Sequence, residues 1–317
     1  YSRVSGALYK RRLLGGFLMG TPQSGIFMEG TRFLHALEFK ADKGKDLGEI
    51  TSALRVALET TAAVPVETVL AFGGTLWKDL APAHGPTEIP HFDTIGNPNG
   101  AHAIGTQHDV LVWLAGDSHD DVLDVALTVN ASLATSLSLS LDQPGFVYRD
   151  SRDLTGFIDG TANPKEDKRL EAALVPDGQP GAGGAFVLSQ KWVHSLAAFN
   201  GLTQKEQERV IGRTKPDSIE LQGDAMPADS HVSRTDVKQD GVALKIYRRS
   251  FPFGGASEHG LYFLAFSSDP QHFDIMLRRM YGISEDKLHD RLTEFSEAIT
   301  SSYWFAPSSE DLKIVLT

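Results

Sequence analysis

The stretch TRFLHALEFKADKGKDLGEITSALRVALE, residues 31–59, decides the fold. Its first part alternates apolar and other residues, so that Phe33, Leu37 and Phe39 lie on one face of a strand together with His35. Asp46 can then cap a helix whose apolar residues recur at helical spacing, namely Leu47, Ile50, Leu54 and Leu58. The segment therefore predicts a strand followed by an amphipathic helix.

The same kinds of signal continue to residue 150. Strands are predicted at 68–72, which ends at a Gly-Gly breaker, at 110–114, and at 146–148. A helix is predicted from about His119 to Leu133. The resulting order, βαββαβ, is that of a ferredoxin-like α+β unit with an antiparallel sheet.

A faint internal repeat indicates a second unit of this kind. LVWLA at 111–115, followed by an aspartate and a helix, resembles LYFLA at 261–265, which has the same sequel. Similarities over five residues also arise by chance, so the repeat is a hypothesis. It predicts an N-terminal ferredoxin-like half at 23–150 and a C-terminal ferredoxin-like half at 151–317.

Composition excludes several classes of function. The chain of 317 residues has no cysteine, which removes disulfides, thiolate nucleophiles and cysteine-bound metal sites. Its formal charge of -11 disfavours binding to nucleic acid or to an anionic membrane. No run of about 18 apolar residues is present, so no membrane span is predicted.

The two ends of the chain differ from the rest. Residues 1–22 place a basic pair, Arg11 and Arg12, before a short apolar run, which is read either as a tag or as the remnant of a leader. The first interpretation predicts a cytoplasmic protein and the second allows periplasmic export. The tail at 311–317 is expected to be a disordered end, with a docking role as the alternative.

Three segments of the second half combine polar residues with turn formers. They contain Asp159 in GFIDGTANP (156–164), His231 in DSHV (229–232) and Arg248 in KIYRRSFPFG (245–254). A carboxylate in a tight turn can be held rigidly, an imidazole can bind a metal, and an arginine at the end of a strand can face inward. Each residue taken alone also fits a purely structural role.

Taken together, the three segments resemble the dye-decolourising peroxidase family, in its compact bacterial subgroup. The family pattern is matched by Gly156, Asp159 and Gly160, by His231, and by Arg248 with the following Pro-Phe-Gly. The resemblance runs from about residue 23 to about residue 312. It implies two ferredoxin-like halves, with one haem b held mainly by the C-terminal half. It also implies a homodimer or a larger homo-oligomer.

The resemblance further implies a peroxidase that reduces hydrogen peroxide and oxidises an organic reductant such as a dye, a phenol or a porphyrin-like compound through a high-valent ferryl intermediate. His231 would be the proximal iron ligand, and Asp274 the carboxylate beside it. Asp159 would act as acid and base toward peroxide, which predicts an acidic activity optimum. Arg248 would stabilise charge on the leaving oxygen, and Ser250 would hydrogen-bond distal water.

Other residues have weaker assignments around the expected cofactor. Arg213 and the amides around Thr161 and Asn163 would bind the propionates, while Leu261 and Phe263 would form an apolar wall. Because bulky dyes cannot reach a buried iron, electrons are expected to travel through an aromatic residue. The candidates, among which the sequence does not choose, are Trp192, Tyr247, Tyr281 and Trp304.

Two other functions remain open on the sequence. A haem-handling or porphyrin-handling protein, for storage or iron release, would need the same pocket but gains little from Asp159 and Arg248. A hydrolase using Ser230 or Ser257 is the second alternative, and no nucleophile-elbow spacing supports it.

Overall fold

The strands and helices below belong to a computed structural model, which describes residues 20–97 and 100–317. The strands are β1 (Phe33–Ala41), β2 (Glu67–Phe72), β3 (Ile95–Gly96), β4 (His102–Ala103), β5 (Val110–Gly116), β6 (Leu137–Phe146), β7 (Ala185–His194), β8 (Lys238–Gln239), β9 (Val242–Ala243), β10 (Tyr247–Arg248), β11 (Phe251–Gly254), β12 (His259–Ser267) and β13 (Ser296–Ala306). The α-helices are α1 (Leu47–Thr61), α2 (Gly74–Leu80), α3 (His119–Leu133), α4 (Asp167–Ala173), α5 (Leu196–Asn200), α6 (Gln204–Ile211), α7 (His231–Thr235), α8 (Gln271–Met280) and α9 (Ser309–Leu316). Short 3-10 turns occupy Ser24–Phe27, Gly223–Ala225 and Arg291–Glu294.

Local signals set most of these boundaries. Helix α1 begins after Asp46, whose carboxylate accepts a hydrogen bond from the Gly48 amide at 2.6 Å. Helix α3 has the predicted bounds and is capped by Ser118. The fourth strand was predicted too late, because β6 ends at Phe146 instead of beginning there. This strand lies at the end of the sheet path, is largely exposed and contains Pro144, so its apolar pattern is weak.

The order of the strands confirms two ferredoxin-like halves. In the first half the spatial order is β6-β1-β5-β2, which is fourth, first, third, second along the chain. In the second half the order is β13-β7-β12, and β10 and β11 both pair with β12, which again gives fourth, first, third, second. The halves join where β13 pairs with β2 through Phe305 and Phe72.

The internal repeat corresponds to equivalent positions in the two halves. Strands β5 and β12, which carry LVWLA and LYFLA, are each the third strand of their half, and helices α3 and α8 follow them. The two stretches of the repeat therefore occupy the same position in the strand order of the two halves.

The sheet curls so that the two half-sheets face each other. The side chains between them form an inner core, which includes Trp113, Phe251, Tyr262 and Trp304. Strands β6 and β11 approach so closely that a Cβ on Gly145 would lie 2.0 Å from the Phe251 ring. Most of the other buried apolar residues belong to an outer core, where the helices cover the far faces of the half-sheets.

The two halves differ in the connection between their first and second strands. In the first half this crossover is made mainly by α1, a helix of 15 residues that packs on the sheet. In the second half it runs through residues 195–246, where the helices α5, α6 and α7 have five to eight residues each and are followed by the short strands β8 and β9. This irregular crossover leaves a cavity against the outer face of β7 and β12.

The ends of the described chain are packed together. Thr21 donates hydrogen bonds to Glu310 of α9 through its amide and its hydroxyl, both at 2.7 Å. Leu312 and Leu316 of the same helix are buried in the outer core, so the expectation of a disordered tail was wrong. The predicted boundary at residue 22 also falls inside packed structure, while the rest of the proposed leader, residues 1–19, lies outside the described residues. None of the described helices is long and apolar enough to cross a membrane.

Candidate active site

A cavity of about 340 Å³ lies between the second half-sheet and the irregular crossover. It continues into a narrower apolar pocket of about 120 Å³ beside β7, β12 and α8. Seven of the predicted site residues line the larger cavity: Asp159, Thr161, Asn163, Arg213, His231, Arg248 and Leu261. Of these, His231, Arg248 and Leu261 also line the apolar pocket, together with Phe263. The fold therefore brings together residues that are up to about a hundred positions apart in the sequence.

His231 is fixed by its helix and by a buried carboxylate. It is the first residue of α7, which Ser230 caps by accepting a hydrogen bond from the Ser233 amide. Its Nδ1 lies 2.6 Å from Oδ2 of Asp290, a side chain with no exposed surface. Among the described residues, Nε2 of His231 has no hydrogen-bond partner. This nitrogen is therefore available to a metal, with the imidazole oriented by Asp290.

The carboxylate beside His231 is thus Asp290, and the prediction of Asp274 was wrong. Asp274 lies in the first turn of α8, where it accepts a hydrogen bond from Arg278 one helical turn later, at 2.7 Å. Both side chains are about half exposed. Asp274 therefore belongs to a surface ion pair, and its helix presents other residues to the cavity.

A buried arginine holds α7 in place. Arg234 donates to both carboxylate oxygens of Asp286, at 2.6 and 2.9 Å, and to the Arg279 carbonyl. Arg279 in turn donates to the carbonyls of Ser233 and Arg234. Hydrogen bonds from Arg234 hold the pKa of Asp286 well below its usual value. A helix of five residues is unstable alone, so these contacts set the position of His231.

Asp159 lies in a tight turn beside Arg248. Its own amide donates to the Ser151 carbonyl, and its Oδ1 accepts a hydrogen bond from the amide of Gly160 at 2.7 Å. Gly160 has φ = 79°, a left-handed conformation that glycine adopts without strain. A guanidinium nitrogen of Arg248 lies 3.4 Å from Asp159 Oδ1. The turn therefore supplies a carboxylate with a cation at its side.

Arg152 and Asn163 position Asp159 and Arg248, a role that the sequence analysis did not assign to them. Arg152 donates to the carbonyls of Gly156 and Lys215, which ties the turn to the crossover. The Asn163 amide donates to the Arg248 carbonyl at 2.8 Å, and its oxygen accepts from the Arg248 amide at 2.9 Å. Because both ends of the Asn163 side chain are thus used, its structural task is to hold Arg248.

The remaining predicted residues lie around the same cavity or next to it. Arg213 is held by Glu220 at 2.8 Å and by the Ser218 carbonyl. The Thr161 hydroxyl is 3.2 Å from that of Ser218. Ser250 accepts a hydrogen bond from the Leu264 amide and lines a separate cavity of about 240 Å³. That cavity shares a wall with the first one, formed by Asp159, Asn163 and Arg248.

Asp153 and His194 also line the cavity, and sequence reasoning missed both. Asp153 Oδ1 lies 3.0 Å from Nε2 of His194, whose Nδ1 lies 2.7 Å from the hydroxyl of Ser296. Burial opposes ionisation of Asp153, yet hydrogen bonds from His194 and Thr155 keep its pKa below the usual value. The only sequence signal was that Asp153 precedes the glycine of the turn motif by three residues.

Comparisons with known proteins identify the family of the chain. Residues 150–311 match the family model of the Dyp-type peroxidase C-terminal domain. The dye-decolorizing peroxidase of Mycobacterium tuberculosis is 35% identical over 251 residues, which is 78% of this chain and 75% of the relative. That of Rhodococcus erythropolis is 32% identical over 287 residues, covering 87% of this chain and 84% of the relative.

Solved structures show the same fold over nearly the whole chain. The dye-decolorizing protein from V. cholerae is 36% identical, with a TM-score of 0.84 and coverage of 92% of this chain and 98% of that one. A variant of DypB from Rhodococcus jostii, solved in complex with heme, is 29% identical, with a TM-score of 0.84 and coverage of 94% and 98%. The chain described here belongs to the dye-decolourising peroxidase family and is a peroxidase.

Proposed function

We propose that this peroxidase holds one haem b in the cavity of the second half and uses it to oxidise organic reductants, such as dyes or phenols, with hydrogen peroxide. The observation that carries the proposal is the position of His231. Nδ1 of His231 is hydrogen-bonded to the fully buried carboxylate of Asp290. The imidazole lines the same cavity as the Asp159–Arg248 pair.

The residues of the cavity fit haem. His231 offers Nε2 to the iron, and Leu261, Phe263 and Met276 offer an apolar wall to the porphyrin. Arg213 at the cavity wall offers a cation to a propionate. When bound, haem would supply an iron centre that gives two electrons to peroxide and then regains them one at a time from a reductant.

The chain's own residues manage the protons and charge of peroxide. The Asp159 carboxylate takes the proton from one peroxide oxygen and delivers it to the other, which leaves as water. The Arg248 guanidinium stabilises the charge on the departing oxygen, and Asn163 holds Arg248 in place. Asp290 keeps a proton on Nδ1 of His231 and so directs Nε2 toward the iron.

The first test is an absorption spectrum of haem-reconstituted protein before and after one equivalent of peroxide. Wild type should show a Soret band that bleaches and shifts to the red promptly, whereas His231→Ala should lose this response. A Soret band that does not change when peroxide is added would favour a porphyrin carrier. No haem band at all in wild type would contradict the proposal.

A second pair of variants separates a peroxidase from a storage protein. Asp159→Asn and Arg248→Leu should both bind haem normally and react with peroxide on the order of a hundredfold more slowly, because each removes a group that acts only during O–O cleavage. Stopped-flow rates measured at equal haem occupancy provide the comparison. Unchanged rates in both variants would show that haem storage or iron release is the better interpretation.

A further inference from the structure

A buried polar cluster lies between the two half-sheets, outside the cavity described above. Its centre is Glu38 of β1, a buried residue. Glu38 Oε1 accepts hydrogen bonds from the hydroxyls of Tyr262 at 2.7 Å and Ser189 at 3.0 Å. Oε2 lies 2.7 Å from Nδ1 of His108. Burying a carboxylate is costly, and here three donors offset that cost.

Tyr262 lies one strand thickness from the proposed haem cavity. Side chains alternate along β12, so the phenol of Tyr262 points into the inner core while its neighbours Leu261 and Phe263 line the cavity on the other face. Ser189 has the same relation to Leu188 and Gln190 on β7. Charge can therefore pass between the cavity and the cluster through a single layer of backbone.

His108 connects this cluster to solvent. Its side chain is 12% exposed, whereas that of Glu38 is 1% exposed. A proton that leaves the tyrosine thus has an acceptor at hydrogen-bond distance, and beyond that acceptor a histidine that reaches the surface. This arrangement matters because a tyrosine loses an electron far more easily when its phenolic proton moves to a base at the same time.

Tyr281, a second buried tyrosine near the cavity, lacks such an acceptor. Tyr281 is stacked on Trp192, which lines the apolar pocket, with ring centroids 6.4 Å apart. Its hydroxyl is buried and has no hydrogen-bond partner among the described residues.

Burial, followed by the charge of Glu38, raises the pKa of Tyr262 well above its usual value. The phenol of Tyr262 therefore keeps its proton until the electron leaves.

We propose that Tyr262, Glu38 and His108 form a proton-coupled redox site that stores one oxidising equivalent. The inference rests on the proposed haem peroxidase function. One electron passes from Tyr262 to the peroxide-oxidised haem, and the phenolic proton passes to Oε1 of Glu38, which leaves a neutral tyrosyl radical. An organic one-electron donor then returns the electron, and Glu38 returns the proton. His108 holds the second oxygen of the carboxylate throughout.

The test uses electron paramagnetic resonance of the haem-loaded protein, frozen shortly after one equivalent of peroxide is added. A tyrosyl signal is expected in wild type, and its lines should narrow when the protein contains ring-deuterated tyrosine. The signal should be lost in Tyr262→Phe. Tyr281→Phe is the matched control without a proton acceptor. Tyr247→Phe is a second control, because the Tyr247 hydroxyl donates to the largely exposed Glu29 at 2.8 Å. Both controls should keep the signal.

Several outcomes would overturn the proposal. The first is a tyrosyl signal that survives in Tyr262→Phe, and the second is a tyrosyl signal that disappears in either control variant. The third is a wild-type radical on a residue other than tyrosine, such as Trp304, whose Nε1 donates a hydrogen bond to Ser189. A normal Soret response without any radical would reject this site and leave the proposed function intact. No Soret response in wild type would reject both.

A second variant covers the case in which Tyr262→Phe does not fold. His108→Gln changes a partly exposed residue and leaves Tyr262 in place, and it should lower the yield of the tyrosyl signal. In wild type the signal should also form more slowly in D2O than in H2O, because a proton moves with the electron. An unchanged yield in the variant, together with equal rates in the two solvents, would contradict the proposed role of the cluster.

Discussion

His231 takes its orientation from one residue, Asp290, and this dependence can be tested directly. Partners of metal-binding histidines typically change metal affinity or activity about 10- to 100-fold when they are replaced. The other carboxylate oxygen of Asp290 accepts a hydrogen bond from the Leu292 amide at 2.9 Å, so both oxygens of the carboxylate are fixed. The imidazole is therefore expected to respond strongly to a change at this position.

Asp290→Asn should slow the reaction with peroxide about 10- to 100-fold, because the neutral amide polarises Nδ1 of His231 less strongly. The iron reduction potential should rise for the same reason. Stopped-flow rates and a spectroelectrochemical titration measure the two effects. Asp274→Asn is the matched control, because it breaks only an exposed pair with Arg278 and should change neither quantity. Equal effects of the two variants would show that Asp290 is not the orienting residue.

The sequence identified the residues of the site that lie in compact motifs. Asp159, His231 and Arg248 each stand in a short recognisable pattern, and the structure brings them to one cavity. Asp290 could not be found in this way, because it lies 59 residues from His231 and reaches it only through the path of the loop after α8. The Asp153–His194 pair depends likewise on a contact between two distant segments.

The turn that carries Asp159 owes part of its stability to Asp153. Hydrogen bonds from His194 and Thr155 to this buried carboxylate outweigh the cost of burying its charge, and they lower its pKa below the usual value of 3.8. The folded state therefore favours the ionised form. This contribution to stability is complete above the ordinary pKa and is lost as the pH falls through the lower, folded value.

Asp153→Asn should consequently destabilise the protein at neutral pH and make less difference in acid. Urea unfolding of wild type and variant at about pH 6 and about pH 3 provides the comparison, and the gap between their midpoints should narrow at the lower pH. Asp177→Asn, in an exposed loop, serves as the control and should leave the midpoint unchanged at both. A gap that widens in acid would show that the carboxylate is not stabilised as an anion.

The molecule as a whole is closed by its C-terminal helix. Helix α9 packs Leu312 and Leu316 into the outer core and binds Thr21 through Glu310. It thereby joins the two ends of the described chain. This docking could not be predicted from the sequence, since a short terminal stretch has the same composition whether or not its apolar residues find a partner.

Leu312→Ala should lower the free energy of unfolding by about 2 kcal/mol or more, because it leaves a cavity under α9. Ile314→Ala is the control on the same helix, since Ile314 is 55% exposed, and it should cost no more than about 0.5 kcal/mol. Chemical unfolding followed by circular dichroism measures both. A similar loss in the two variants would indicate that the helix is not docked through Leu312.

Most regular elements could be predicted because their periodic patterns are long. The bounds of α3 and the alternation in β1 are examples. Strand β6 was misplaced because a strand at the end of the sheet path has little burial to impose alternation. The segment that leads to Arg248, which was expected to lie at the end of a strand, is interrupted in the structure: Val242–Ala243 pairs with β8, and Tyr247–Arg248 pairs with β12. Its residues follow the shape of the cavity more than the period of a sheet.

The unequal crossovers of the two halves have a consequence for protein design. In the first half, the single helix α1 covers the sheet. In the second half, several short elements cover the sheet incompletely, and the space that they leave is the cavity. The two halves thus show that one strand topology can have either a filled core or a ligand-sized cavity beneath its crossover. Replacing α1 by a segmented crossover is a rational route to a second, artificial chamber in the same chain.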